Sequence, residues 1–472
     1  MMSIQRRYRA LRLAGVTALG LTAALALAGP SSAAPTSSSP NPYSPQNGHA
    51  YRHGVVPTLE THGKMKEWQA ANAPAAAAAA TGQQTLSYGG GVDGIGVTSG
   101  KPKVYLIFWG TQWGTQGTDA NGNQTFSSDT AGGAPKLQQM FKGLGTGGEG
   151  WSGVMTQYCD GPTVSSGATT CPSSAPHVGY PTGGALAGVW YDSSATEPTA
   201  ATGAQLGTEA VKAASHFGNT TAASNRYAQY VILSAKGLNP DNYKTGGFCA
   251  WHDWNGDVSV SSTVGDVAFT NMPYVMDQGS SCGSNFVNSG TAGATDGYTM
   301  VEGHEYAETI TDQNPAGGWT NHVVGSTYNG QENADECAWI SSGQGASANV
   351  TTGNGSYAMQ STWSNDTNRC DITHTTVTGG GGGTGCSGQK LGNPGFETGT
   401  AAPWSASTGI IDSSAGEPAH SGSWKAWMDG YGSAHTDTLS QSVTIPAGCT
   451  ATLSFYLHID TAETTTTSAY DT

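Results

Sequence analysis

The chain has 472 residues, and its 33 acidic side chains outnumber its 18 basic ones, which gives a formal net charge of −15. This balance excludes nucleic acid as the expected partner, because phosphate binding needs a basic surface. Only 11% of the residues are charged, so a cluster of acidic side chains stands out in this sequence.

Residues 1–34 have the three parts of an export signal. Four arginines between positions 6 and 12 precede the apolar run Leu13 to Leu27, and a small-residue run then offers cleavage after Ala33 or Ala34. The apolar run is shorter than the roughly 20 residues that a membrane span needs. We therefore predict a secreted, extracellular protein, monomeric and without a membrane span after signal cleavage.

Residues 35–90 are predicted to be a disordered pro-region or a spacer. They are rich in Pro, Ser, Asn and Ala, and they contain the tract Ala75 to Ala80. Segments of this composition seldom pack a core. Only Leu59 to Ala71 has a helical pattern, and removal on maturation and a lasting spacer role remain open alternatives.

Residues 91–376 are predicted to form an α/β domain, a mixed sheet with flanking helices. Short apolar runs indicate buried strands, and helical patterns alternate with them along the chain. The predicted strands are Lys103 to Trp109 and Tyr230 to Ser234, and the predicted helices are Pro135 to Leu144, Gly207 to Phe217 and Thr299 to Asp312.

A glycine-rich linker at 377–385 separates this domain from a predicted all-β module at 386–472. The module opens with Leu391 to Glu397, which is similar to the start of carbohydrate-binding-like jelly-roll modules of secreted hydrolases. A jelly roll needs about eight strands, so we expect the sandwich to be incomplete at Thr472. Four aromatic residues suit either sugar stacking or the sandwich core: Trp404, Trp424, Trp427 and Tyr431.

The eight cysteines of the chain are predicted to form disulfides, because their number is even and the chain is exported. Pairing between sequence neighbours is the prediction: Cys159 with Cys171, Cys249 with Cys282, Cys337 with Cys370, and Cys386 with Cys449.

The main candidate for chemistry is His304-Glu305-x-x-Glu308 on the last predicted helix. Residues four apart share a helix face, so His304 and Glu308 are predicted to bind one metal ion. This is the zincin-like His-Glu-x-x-His pattern with Glu at the second ligand position. Zinc accepts carboxylate oxygen, while Ca²⁺ and Mn²⁺ remain alternatives.

The third predicted metal ligand is Asp335, in an acidic segment that a disulfide at Cys337 would stiffen. Glu332, Asp312 and His252 stay open as alternatives. In the expected reaction Glu305 takes the proton of the attacking water and passes it to the leaving amine. An oxyanion stabiliser is also needed, and the sequence offers His322 or Tyr328.

Several motifs together resemble the EXORDIUM (phosphate-induced protein 1) family over about residues 98–373. They are Pro102 to Gly110, Phe248 to His252, Asp296 to Tyr298, Thr309 to Asp312 and Met359 to Asn365. Bacterial relatives are closer, with "HExxE", "TDP", "GW" and "E-x-x-D-x-C" stretches, although Gln313 here replaces the proline of "TDP". The resemblance implies an extracellular, wall-associated protein without an established enzymatic role, and the plant members lack the His-Glu-x-x-Glu set.

Two functions are the resulting hypotheses. The first is a secreted metal-dependent hydrolase, a metallopeptidase acting on a protein or peptide through a metal-activated water, with polysaccharide bound by the C-terminal module. The alternative is a non-catalytic protein that binds cell walls or polysaccharide.

Overall fold

The structure is a computed structural model that describes residues 41–72, 84–323, 326–378, 391–429, 431–433, 435–443 and 453–459. The predicted signal peptide, residues 379–385 of the linker, and Cys386 and Cys449 lie outside these residues. Within the described ranges, no helix is both long and apolar enough to cross a membrane.

A six-stranded mixed sheet forms the centre of the domain. Its strands are β1 (His53–Pro57), β2 (Lys103–Trp109), β3 (Leu186–Asp192), β4 (Ala228–Ser234), β5 (Phe248–Trp254) and β6 (Ala268–Met272). They lie in the order β1-β5-β6-β4-β2-β3. β3, β2, β4 and β6 run parallel, whereas β5 is antiparallel to both β6 and β1.

Two apolar cores cover the two faces of the sheet. The longer helices are α1 (Leu59–Asn72), α2 (Gly133–Gly143), α3 (Gly203–His216) and α4 (Asp296–Thr311). Alternate residues of β2 point to opposite faces: Leu106 packs in the core that contains α2 and α4, and Ile107 packs in the core that contains α3. The predicted mixed α/β class is confirmed.

Short elements complete the described residues. The short α-helices are Trp151–Met155, Ala222–Asn225 and Tyr243–Gly246, and there are one-turn 3₁₀ segments such as Asp335–Cys337. Two-stranded ladders join Gln116–Thr118 with Gln124–Phe126, Ser87–Tyr88 with Trp319–Thr320, Ala348–Thr352 with Gly355–Met359, and Thr362–Ser364 with Arg369–Asp371.

Part of the segment predicted to be disordered is ordered by contacts with the rest of the domain. Residues 53–57 form β1 at the edge of the sheet, and α1 follows. Arg52 pairs with the buried Asp241 at 2.6 Å. Composition predicts disorder because it reports only local sequence, whereas the order at 41–72 comes from partners nearly 200 residues away.

Three of the four predicted disulfides are confirmed, and the fourth lies outside the described residues. They are Cys159–Cys171, Cys249–Cys282 and Cys337–Cys370. Disulfides persist in oxidising compartments, so these bridges are consistent with a secreted protein.

The described residues from 391 to 459 contain two short strand pairs. Ser405–Ala406 pairs with Leu439–Ser440, and Ile411–Asp412 pairs with Lys425–Ala426. These pairs do not establish the predicted jelly roll. Trp427 and Tyr431 are 42% and 53% exposed, whereas Trp404 and Trp424 are half-buried.

Candidate metal centre

Helix α4 is buried along its whole length, and it carries three glutamates. Every residue from Asp296 to Thr311 is buried. A carboxylate is rarely buried without a partner, because leaving water is costly for a charge. Glu302, Glu305 and Glu308 therefore mark this helix as more than a packing element.

His304 is oriented by Gln360, which lies in the motif Met359 to Asn365 but had been given no role in the site. The side-chain amide of Gln360 donates to the carbonyl of Ala334 at 2.8 Å, so its oxygen faces His304 Nδ1 at 3.1 Å. Nδ1 must then carry the hydrogen, which leaves the lone pair of Nε2 pointing away from Gln360. A Cβ on Gly303 would lie 2.6 Å from Met359, so glycine there allows the close approach of the strand that precedes Gln360.

Glu308 and Asp335 are each held by one oxygen and present the other. Glu308 Oε1 accepts hydrogen bonds from the backbone N–H groups of Ala334 and Asp335, at 3.1 and 2.8 Å. Asp335 Oδ2 accepts from the N–H of Glu332 at 3.1 Å. The free oxygens face His304 Nε2, with Glu308 Oε2 at 3.0 Å and Asp335 Oδ1 at 3.6 Å.

The structure thus brings together all three predicted ligands. The donor atoms of His304, Glu308 and Asp335 lie within 4.8 Å of one another. Nε2 of His304 and Oε2 of Glu308 are buried without a hydrogen bond of good geometry. Three anchored side chains with free donor atoms turned inward form an arrangement that suits a cation.

The electrostatics of the group also favour a positive charge at its centre. Burial alone would lower the pKa of His304, but Glu308 and Asp335 outweigh burial and raise the pKa well above its usual value. Burial raises the pKa of Glu308, and Asp335 raises it further. A proton and a metal ion compete for the same lone pair, so the carboxylates that attract the proton would also attract a metal.

Glu305, the predicted general base, is fully buried, and neither of its carboxyl oxygens has a hydrogen-bond partner among the described residues. Burial raises the pKa of Glu305 well above its usual value, and the charges of His304 and Glu308 also act on it. It belongs to none of the groups with metal-ligand geometry among the described residues. The carboxylate is therefore near the predicted ligands and free to bind a water molecule.

A second donor group shares Glu308. It consists of His252 on β5, Glu308 and Glu332, whose donor atoms also lie within 4.8 Å of one another. His252 Nε2 already lies 3.2 Å from Glu332 Oε2, so this pair satisfies itself. Burial lowers the pKa of His252 to about 4. The first group has more unsatisfied donor atoms facing inward, and it is the better candidate.

The remaining sequence candidates have other contacts. Asp312 ends α4, and its carboxylate accepts the backbone N–H groups of Ala316 and Gly318 at 2.9 and 2.5 Å. His322 is exposed and lies within hydrogen-bond distance of Ser87 and Thr320. In the part of the chain that the structure describes, His322 belongs to no group of possible metal ligands.

Asn333 occupies a variable position of the "E-x-x-D-x-C" stretch, and the sequence had given it no role in the site. It lies between Glu332 and Asp335 in the chain. Its side-chain amide is buried, and neither the nitrogen nor the oxygen of that amide has a hydrogen bond within the described ranges. A buried amide without partners is costly. An asparagine has no sequence signal of this kind, because only the fold shows that its amide is buried.

Comparisons of the chain with protein-family models, with curated proteins and with solved structures found no match. The geometry and electrostatics of the site are therefore the observations that bear on function.

The Gln360→Leu variant is expected to bind zinc about 10–100-fold more weakly, because metal-ligating histidines depend on the partner of their other nitrogen. Isothermal titration with zinc measures the affinity. Gln138→Leu is a matched control, since Gln138 is equally buried but bonds to Gln124 and Ala134. Equal affinities for the two variants would contradict the orienting role of Gln360.

Proposed function

We propose that the protein is a secreted, metal-dependent hydrolase whose metal ion is held by His304, Glu308 and Asp335. One observation carries the proposal: each of these side chains is anchored by one atom, and the other donor atom of each is turned toward the same point. A structural ion pair would not need three free donor atoms.

Zinc suits this donor set best, because one imidazole nitrogen and two carboxylate oxygens fall within its usual ligands. Three protein ligands also leave a coordination position open, as in catalytic zinc sites. A bound zinc ion would polarise a water molecule and lower its pKa. Calcium and manganese are the alternatives, since both accept carboxylate oxygen.

Glu305 would act on the attacking water. It follows His304 directly on α4, which turns its side chain away from that of His304 but keeps it within the same buried region. Its carboxyl group has no other hydrogen-bond partner among the described residues. The charge of a bound cation would offset the burial that raises its pKa, so the carboxylate could take a proton and deliver it to the leaving group. Peptide hydrolysis is the proposed reaction, because the pattern differs only at the second ligand position from the His-Glu-x-x-His helix that is typical of metallopeptidases.

Metal analysis of the purified full chain tests the proposal. We expect one zinc ion per chain by mass spectrometry, removed by a chelator and restored by added zinc, and a higher unfolding temperature in the zinc-bound chain. Two ions per chain would mean that a second donor group is also filled, either that of His252 and Glu332 or that of His53, Asp253 and Asp257. A chain that contains no metal, and that zinc does not stabilise, would rule the proposal out.

A second, non-exclusive proposal concerns residues 391–459. The exposed rings of Trp427 and Tyr431 support binding to cell-wall polysaccharide, since aromatic faces supply large contact area. An extracellular, wall-associated location would agree with the family that the motifs resemble. Loss of binding to insoluble chitin or cellulose in a Trp427→Ala, Tyr431→Ala variant tests this role.

A further inference from the structure

The candidate metal centre is closed to a macromolecular substrate. His252, His304, Glu305 and Glu308 are all 0% exposed, and the side chain of Asp335 is only 14% exposed. A hydrolase that acts on polypeptides must admit an extended chain to these groups. Whatever covers them therefore has to leave before substrate can bind.

The cover includes β1, which occupies the edge of the sheet beside the site. Its partner β5 carries His252, and His53 lies opposite His252. The pairing is irregular between His53 and Val56, so the chain bulges at this point. Without β1, the edge of β5 would present unpaired backbone groups, which are a template for an added strand.

Gly54 at this bulge lies directly over the donor groups. A Cβ on Gly54 would overlap Glu308 Oε2 and would lie 2.7 Å from His252 Nε2, and the backbone has a φ of +50°. The backbone N–H of Gly54 faces the carboxylate of Glu332, where it favours the charged form of that group. The backbone of β1 thus lies against Glu308 and His252 of the two donor groups, and it turns an amide hydrogen toward Glu332.

The residues before β1 hold the segment in place. Arg52 Nε donates to Asp241 Oδ2 at 2.6 Å, and its guanidinium lies 4.6 Å from the centre of the Phe248 ring. The Tyr51 hydroxyl donates to Asp241 Oδ1 at 2.9 Å. Asp241 and Phe248 belong to the domain, so they form a place for a basic side chain two residues ahead of Gly54.

We propose that the edge of β5 beside α4 is a binding site for extended polypeptides, and that residues 51–57 occupy it as a built-in competitor. Binding adds a strand antiparallel to β5, places a glycine over Glu308 and seats a preceding basic side chain on Asp241. The inference rests on the proposed function, because it names the substrate of the same site. It also assigns a role to the predicted pro-region, which blocks the site until residues 41–72 are released.

The test uses the full chain with Ala75–Ala80 replaced by the recognition sequence of a site-specific endoprotease. After cleavage and removal of the released piece, a fluorescent peptide of residues 41–72 is titrated back, in a Glu305→Gln background that keeps bound peptides intact. We expect saturable binding, and displacement of the peptide by denatured casein.

Three peptide variants sharpen the test. Gly54→Ala is expected to weaken binding by about 5- to 150-fold, because its methyl group has no room beside Glu308. Arg52→Ala is expected to weaken it about 30-fold or more, because Asp241 loses its ion-pair partner. Gly63→Ala is the matched control: a Cβ there meets nothing within 4 Å, and alanine favours the helix, so its binding should be unchanged or tighter.

Casein hydrolysis by the cut and uncut chains with Glu305 intact separates the two proposals. A higher rate of casein hydrolysis after cutting supports both the hydrolase and the blocking role of residues 41–72. Equal hydrolysis before and after release of the piece overturns the inference and leaves the hydrolase standing. If casein displaces the fluorescent peptide but is not hydrolysed, the proposal of a hydrolase is wrong and the proposal of a peptide-binding site is supported. If the cut segment cannot be released without unfolding, or casein does not displace it, the segment is a permanent part of the fold and the inference is wrong.

The uncut Arg52→Ala chain gives an independent check, with hydrolysis expected to increase.

Discussion

Glu305→Gln is expected to lower the rate of casein hydrolysis by about 10²- to 10⁴-fold, the usual contribution of a general base. Zinc content should stay the same, because Glu305 lies outside both donor groups. The glutamine keeps the shape of the side chain but cannot take a proton. The rate is measured as the initial rate at saturating substrate, on the chain freed of residues 41–72. Zinc content is measured on the same sample.

Glu302→Gln is the matched control for this variant. Glu302 lies three residues before Glu305 on α4. Like Glu305, it is fully buried, and neither of its carboxyl oxygens has a hydrogen-bond partner in the part of the chain that the structure describes. The same chemical change at Glu302 should leave both hydrolysis and zinc content intact. If both variants lost activity equally, the loss would come from packing of α4, and the role of Glu305 as a base would be refuted.

The sequence predicted the main features of α4 because the pattern there is local. The motif requires a helix to place His304 and Glu308 on one face. Apolar residues on both sides of the motif indicate that this helix is buried: Met300, Val301, Ala307 and Ile310. The structure begins the helix at Asp296, three residues before the predicted start at Thr299, and an acidic first turn favours that start. The position of Asp335 beside His304 could be predicted as well. Charged residues are scarce in this chain, so the acidic segment stood out, and the nearby Cys337 indicated a disulfide that would hold it.

The parts of the site that could not be predicted depend on distant contacts. Gln360 is 56 residues from His304 in the chain, and nothing in its own surroundings marks it as a partner of a histidine. The same holds for β1, whose order depends on β5 and on Asp241, 189 residues away from Arg52. A local pattern cannot report on partners at such distances, so composition alone indicated disorder there.

The shared ligand Glu308 should show the largest effect on the metal. Glu308→Gln removes a donor atom from both groups. We therefore expect zinc affinity to fall by more than the roughly 100-fold that can follow from loss of a residue that only orients a ligand, as Gln360 does. Thermal unfolding measured with and without zinc is a readout that does not need activity. In the wild type, zinc at about 100 times its dissociation constant should stabilise folding by about 2.7 kcal/mol, and this gain should vanish in the variant.

The fold itself should survive this change, which makes the result interpretable. The oxygen of the new glutamine can still accept from the N–H groups of Ala334 and Asp335, as Oε1 of Glu308 does. The Glu308 charge helps to raise the pKa of His304, so His304 loses its second proton more readily in the variant. Its Nε2 lone pair can then accept a hydrogen bond from the amide nitrogen of the new glutamine, which would stand 3.0 Å away. One buried negative charge beside Asp335 is also lost, so the zinc-free variant should be at least as stable as zinc-free wild type. A variant that still gains stability from zinc would show that the metal binds elsewhere.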